Sequence, residues 1–183
     1  MNMLQTGAGL SAQRAPVPQT IFLLISIFIV MSCCAGCAKP ADKAEIFSAG
    51  KKFYEERNYI QAEKKLEQAL KLGKDHQEGT SGPNLSSVEM ILGNTKWELG
   101  KYKDALALHK EAIVALTTQN GADGELVADA ELRVGIDSTS LNDKKAAKQH
   151  FEKALTIYKK NLPKTSAKVK QLQLKLKALA ANK

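Results

Sequence analysis

The chain has 183 residues, 27 Lys+Arg against 19 Asp+Glu for a formal net charge of +8, and 44% hydrophobic residues. That length admits one domain with a modest core and excludes a multidomain enzyme, and the apolar content excludes wholesale disorder. The charge is unevenly placed: residues 39–158 carry 18 basic and 19 acidic side chains, whereas residues 159–183 carry eight lysines and no acid. Any attraction to nucleic acid or acidic lipid therefore rests on the tail.

At the start, residues 21–31 are almost unbroken apolar. Eleven residues suit the apolar centre of a signal peptide and fall short of the roughly 20 that a bilayer-spanning helix requires. With the small residues through Ala38 added, the run approaches spanning length, so an uncleaved anchor stays open as an alternative. All three cysteines follow, at Cys33, Cys34 and Cys37. The remaining 146 residues have none, which excludes a disulfide framework. Three thiols within five residues also lack the spaced fourth ligand of a structural zinc site. Ala35-Gly36-Cys37 resembles the end of a bacterial lipoprotein signal, with Cys33 as the alternative acceptor. That resemblance implies an acylated cysteine holding residues 42 onward at the inner or outer membrane of a bacterial envelope, in the periplasm or outside.

From residue 42 the chain repeats itself. Gly50, Gly93 and Gly135 recur at intervals of 43 and 42 residues, as do Ala62, Ala105 and Ala147, and Ala69, Ala112 and Ala154. Alanines seven apart share one helix face, and between them stand Leu66, His109 and Phe151. Small side chains permit close helix approach, so each unit reads as a helical hairpin whose glycine admits the second helix. Helices are expected at about 42–56 and 59–73, 85–99 and 102–118, and 124–138 and 143–161. Asn58, Asn84 and Asn142 are expected as N-caps, and Pro163 as the stop. Asp137-Ser138-Thr139-Ser140 is poor helix sequence at the end of the fifth segment, which makes the third hairpin the weakest expectation. A last helix at about 165–181 carries Val169, Leu172, Leu176 and Leu179 as one stripe. It suits a cap on the open end of a stack, or a basic amphipathic helix on acidic lipid.

Leu92-Gly93 with Trp97, Gly100-Lys101-Tyr102, Ala105 and Ala112 resembles the tetratricopeptide-repeat pattern. The first unit follows it with Gly50, Phe53, Tyr59, Ala62 and Ala69, and the third with Gly135, Ala147, Phe151 and Ala154. The period of 42 to 43 exceeds the family's usual 34 and is similar to the long repeats of kinesin light chains. The resemblance implies an all-α solenoid of about three hairpins over 42–162, with a basic capping helix at 164–183. It further implies a concave surface that binds a protein or peptide. By register, that surface is lined by Phe47, Lys51, Tyr54 and Glu55, then Met90, Asn94, Trp97 and Glu98, then Leu132, Ile136, Thr139 and Ser140. Trp97 has a second reading, as a packing residue within or between hairpins.

Nothing in the sequence carries enzymatic chemistry. His76, His109 and His150 lie at no metal-ligand spacing, and there is no phosphate-cradling glycine loop, nucleophile elbow or HExxH. No catalytic residue, metal or cofactor is expected, and no nucleic-acid partner, since the lysine tail lacks interleaved aromatics. The leading expectation is a membrane-anchored adaptor. The alternative is a structural subunit that assembles, or self-associates, through its solenoid ends.

Overall fold

The computed structural model describes residues 42–75 and 84–181. The apolar run at 21–31, the candidate acceptors Cys33 and Cys37, and His76 lie outside the described residues. Among those described, seven helices follow in order: α1 (Lys43–Glu55), α2 (Tyr59–Asp75), α3 (Leu85–Glu98), α4 (Tyr102–Asn120), α5 (Glu125–Ser140), α6 (Lys144–Asn161) and α7 (Ala167–Ala181). Each helix packs on the next, giving three hairpins and a terminal helix. This is the expected all-α solenoid.

Capping residues set the helix starts. Asp42, Asn58 and Asn84 accept hydrogen bonds from the backbone N–H of Ala44, Gln61 and Ser86, filling donors that a first helical turn leaves open. At the third hairpin the expectation is corrected. Asn142 does not cap α6; Asp143 does, accepting from Ala146 N at 2.9 Å. Asn142 instead takes φ 61°, and the equivalent residues Arg57 and Gly100 take φ 60° and 75°. All three hairpins thus turn on one left-handed residue at the same register position, a conformation that asparagine tolerates better than most side chains. The polar end of α5 stays helical because Ser138, Thr139 and Ser140 turn their hydroxyls back onto the carbonyls of Val134, Gly135 and Ile136.

The repeated small residues do what their spacing predicts. Ala62, Ala69, Ala105, Ala112, Ala147 and Ala154 are all fully buried. Each repeat glycine faces the bulky residue sixteen positions later. A Cβ on Gly50 would stand 2.8 Å from Leu66 Cγ, one on Gly93 2.5 Å from His109 Nε2, and one on Gly135 would strike the Phe151 ring. Only a hydrogen at that position lets the two helices of a hairpin approach this closely.

The apolar core divides at the second hairpin. Ala62, Leu66, Leu92 and Leu108, flanked by Phe47 and Phe53, close the first hairpin onto the second. A larger cluster including Leu116, Val127, Phe151, Ile157 and Tyr158 closes the second onto the third and continues into α7 through Val169 and Leu172. Each large side chain fully buried there contributes about 1.5–3 kcal/mol. The first junction adds charge. Lys96 reaches Glu63 and Glu67 at 2.7 Å each, and Lys101 reaches Glu63 at 2.7 Å. Burial works against the Lys96 charge, but its hydrogen bonds to Glu63 and Glu67 outweigh it and hold the ammonium above its usual range.

The α7 stripe packs as a cap should, with Val169 and Leu172 each 1% exposed. Lys168 fastens its first turn to Glu125 and Asp129, both at 2.8 Å. Asp129 also accepts a hydrogen bond from the Tyr158 hydroxyl, which with burial raises that phenol far above its ordinary value.

Candidate functional site

The first helices of the three hairpins, α1, α3 and α5, share one face with α7. On it lies a cleft of about 230 Å³ walled by Tyr54, Trp97, Glu98 and Arg133, with Lys175 at its edge. Tyr54 and Trp97 occupy equivalent repeat positions and bound the same space, as the register predicts. Both are half-buried. The Trp97 ring leans on Tyr102 with centroids 6.0 Å apart, and its Nε1 donates to Ser140 Oγ at 3.0 Å. Tyr54 leans in the same way on Tyr59, at 5.8 Å. Trp97 therefore joins the second hairpin to the third and still presents surface to the cleft, combining both sequence readings.

The cleft floor is polar and closed. His109 Nδ1 stands 2.6 Å from Asp137 Oδ2, each side chain 1% exposed. His109 Nε2 and Asn94 Oδ1 are buried and have no hydrogen-bond partner. His109 Nε2 is packed against Gly93, where an added Cβ would stand 2.5 Å from it, so this atom is closed to an entering group; a buried polar atom left unpaired costs about 1–3 kcal/mol of stability. Above it the charges are mixed. Arg133 and Lys175 make no ion pair among the described residues, and Glu98 faces them. Burial lifts the Tyr54 phenol above its ordinary value, the Arg133 guanidinium opposing and the Glu98 carboxylate assisting.

Beyond Trp97 the cleft opens into an apolar slot of about 300 Å³, where Ile136 and Phe151 face Ala178 and Leu179 of α7. Thr139 and Ser140 line its rim. Trp97, Ile136 and Lys175 border both spaces, so slot and cleft are contiguous.

The other register-assigned residues distribute differently. Lys51 is exposed and paired with Glu55 at 3.8 Å, outside the cleft lining. Phe47 packs against the first core cluster and Leu132 against the second. Met90, assigned beside Asn94 and Trp97, lines a separate cavity with Leu116, Leu126 and Asp129. It sits a full helical turn before Asn94, where α3 faces α5 and not the cleft.

Sequence reasoning missed Arg133, Asp137, Lys175, Ala178 and Leu179. Arg133 follows the assigned Leu132 by one position, the ambiguity that a period alternating between 43 and 42 creates. The α7 residues carry no repeat signal at all. His109 was legible only as a polar residue at a position given to bulk, and its partner Asp137 lies 28 residues away.

A second, larger and more open groove of about 770 Å³ runs between α4 and α6. There His150 Nδ1 meets Glu131 Oε2 at 2.5 Å, with Lys153 4.0 Å from the same carboxylate. These are pairings without a third ligand or an adjacent nucleophile. Among the described residues no group of three or more His, Cys, Asp or Glu is placed to hold a metal ion, and no helix is long and apolar enough to cross a membrane.

A tetratricopeptide-repeat family model matches residues 84–160. No curated protein matches the chain. Among solved structures, RapI in its apo form superposes with a TM-score of 0.67 at 19% identity, over 90% of this chain and 58% of RapI, so the chain spans a little over half of that protein. The N-terminal domain of stress-induced protein-1 from C. elegans superposes at 0.56 with 18% identity, over 74% of this chain and 91% of that domain. PcrH, solved with the chaperone binding region of PopD, superposes at 0.58 with 17% identity, over 75% of this chain and 90% of its own. The chain has a tetratricopeptide-like, all-helical repeat fold.

Proposed function

We propose that the protein is a membrane-anchored adaptor that captures a segment of another protein on the face shared by α1, α3 and α5. The observation that carries this reading is that Tyr54 and Trp97, 43 residues apart, bound one cleft with half-buried rings. Half-buried aromatics offer rigid apolar contact area at small entropic cost, which is characteristic of binding surfaces. PcrH, one of the similar structures, was solved holding the chaperone binding region of PopD. A fold of this kind carrying a region of another protein supports the same use here.

The anchor rests on the sequence. An apolar run over 21–31 followed by Cys33 and Cys37 supports acylation at Cys37, or at Cys33, and an envelope location. Each acyl methylene buried in the bilayer contributes about 0.8 kcal/mol, and confinement there raises the effective concentration of a membrane-resident partner. Intact mass of detergent-extracted protein distinguishes an acylated mature chain from one retaining residues 1–36.

The adaptor reading is tested by Trp97→Ala. The variant should capture less partner from native membrane extract while its far-UV circular dichroism stays unchanged; equal capture would overturn the assignment.

A second reading, a structural subunit joined through the solenoid ends, is favoured by Ile60 on α2 and Leu174 on α7. They are 71% and 64% exposed, in the first hairpin and the terminal helix. A native mass equal to one chain would remove it.

A further inference from the structure

We propose that the terminal helix is part of the site: α7 and Trp97 together form a slot for one apolar side chain of the captured segment, and Lys175 and Arg133 pair with a carboxylate beside that side chain. This rests on the adaptor reading and specifies the chemistry of its partner.

The slot walls are Trp97, Ile136 and Phe151 on one side and Ala178 and Leu179 on the other. Roughly 150 Å³ of apolar cavity accommodates a benzene-sized group, so about 300 Å³ open at one side takes a leucine or phenylalanine side chain together with the start of its backbone. Such a space gains little from a charged occupant, because its Thr139 and Ser140 hydroxyls already donate to the Gly135 and Ile136 carbonyls and its other walls are mostly apolar. Charge selection falls at the mouth. Lys175 borders both slot and cleft, and Arg133 stands in the cleft beside it. The carboxylates that line the cleft with them are Glu98 at its edge and the buried Asp137, which is engaged with His109. Two cations without ion-pair partners among the described residues, beside one exposed carboxylate, favour an anion entering between them.

The terminal helix is built to serve as such a wall. Its first half is fixed, by Lys168 on Glu125 and Asp129 and by burial of Val169 and Leu172. Its second half, which faces the slot, buries Leu176 and Leu179 only in part. The half that meets the partner can therefore adjust to it without undocking the half that caps the stack.

Trp97 is the chain's single tryptophan, so its emission reports on the slot directly. The probes are blocked heptapeptides added to the full chain in detergent: a central leucine flanked by glutamates, the same leucine flanked by lysines, and a central alanine flanked by glutamates. The Glu-flanked leucine peptide should shift the emission saturably, and the other two should bind at least about ten-fold more weakly. Ala178→Phe, which fills the slot, should weaken that peptide by about the same factor. Lys175→Glu, at an exposed position that folding does not depend on, should reverse the preference between glutamate and lysine flanks. Equal titration by the leucine and alanine peptides, or no response to any peptide, overturns the slot. If Asn94→Ala weakens peptide binding while Ala178→Phe and Lys175→Glu leave it unchanged, the slot falls and the adaptor reading stands. Emission that changes with protein concentration alone identifies a second copy as the occupant and overturns the peptide assignment.

Discussion

His109 on α4 and Asp137 on α5 form a closed polar pair across the junction of the second and third hairpins, Nδ1 to Oδ2 at 2.6 Å with both side chains 1% exposed. The equivalent residues of His109 in the flanking hairpins are Leu66 and Phe151, both buried and apolar. The pair thus occupies a place where bulk alone would suffice. His109→Leu strands a buried carboxylate and should cost about 3–5 kcal/mol, and Asp137→Ala strands the imidazole and should cost about 1–3 kcal/mol. The double variant strands neither and should be more stable than the histidine variant alone. Urea denaturation of all four proteins measures the cycle, and additive losses would contradict it.

Two glycines separate crowding from backbone strain. Gly93→Ala brings a Cβ within 2.5 Å of His109 Nε2 and should destabilise by about 1–3 kcal/mol through overpacking. Gly100→Ala meets nothing within 4 Å but holds φ at 75°, so its cost should be about 1–2 kcal/mol from the left-handed conformation alone. Gly100→Asn should recover part of that loss, as asparagine already holds the equivalent turn at 142. Thermal melts followed at 222 nm compare the three.

Glu89 lies 3% exposed between α2 and α4 with its Oε2 unpaired. Burial, reinforced by Glu111 and opposed by Lys74, pushes its carboxyl up to about 6. A carboxyl whose folded pKa is raised contributes stability in its neutral form, which is present below its unfolded value and lost as pH rises through about 6. Glu89→Gln should therefore stabilise the protein by about 1–2 kcal/mol at pH 7 to 8 and by nearly nothing at pH 4. Denaturant midpoints across that range decide it, and a pH-independent gain would point to packing instead.

Lys168 ties the cap to the stack. Burial acts against its charge, but hydrogen bonds to Asp129 and Glu125 prevail and hold it above the usual lysine range. Lys168→Met should leave α1 to α6 folded and speed amide exchange in residues 167–181 by about ten-fold or more. Removing residues 165–183 should go further, uncovering the apolar surface beneath Val169 and Leu172 and driving association. Exchange read by mass spectrometry and solution mass of the truncated chain check the two expectations.

The fold was legible because its determinants are local and repeated. Gly50, Gly93 and Gly135 with their alanines fix which faces meet, and Asn58 and Asn84 mark where helices start. The error at Asn142 is instructive: an asparagine can cap a helix or adopt positive φ, and Asp143 beside it left the sequence ambiguous about which residue does which. The site was half legible. Tyr54 and Trp97 follow from the register, because equivalent positions on consecutive hairpins face the same way. Arg133, Lys175 and Leu179 do not, since the register slips by one residue at the third unit and α7 lies outside the repeat. Pairings across long separations, such as His109 with Asp137 or Trp97 with Ser140, leave no periodic trace.

The two seams of the stack differ in kind. Between the first and second hairpins a small apolar patch is reinforced by Lys96, Lys101, Glu63 and Glu67, whereas the second and third are joined by a broad apolar cluster. Lys96 and Glu63 stand largely out of solvent, so dissolved ions reach the first seam only at its outer contacts, Lys101 and Glu67. Neutralising Glu63, which meets both lysines, would therefore loosen the leading pair of helices more than brine would.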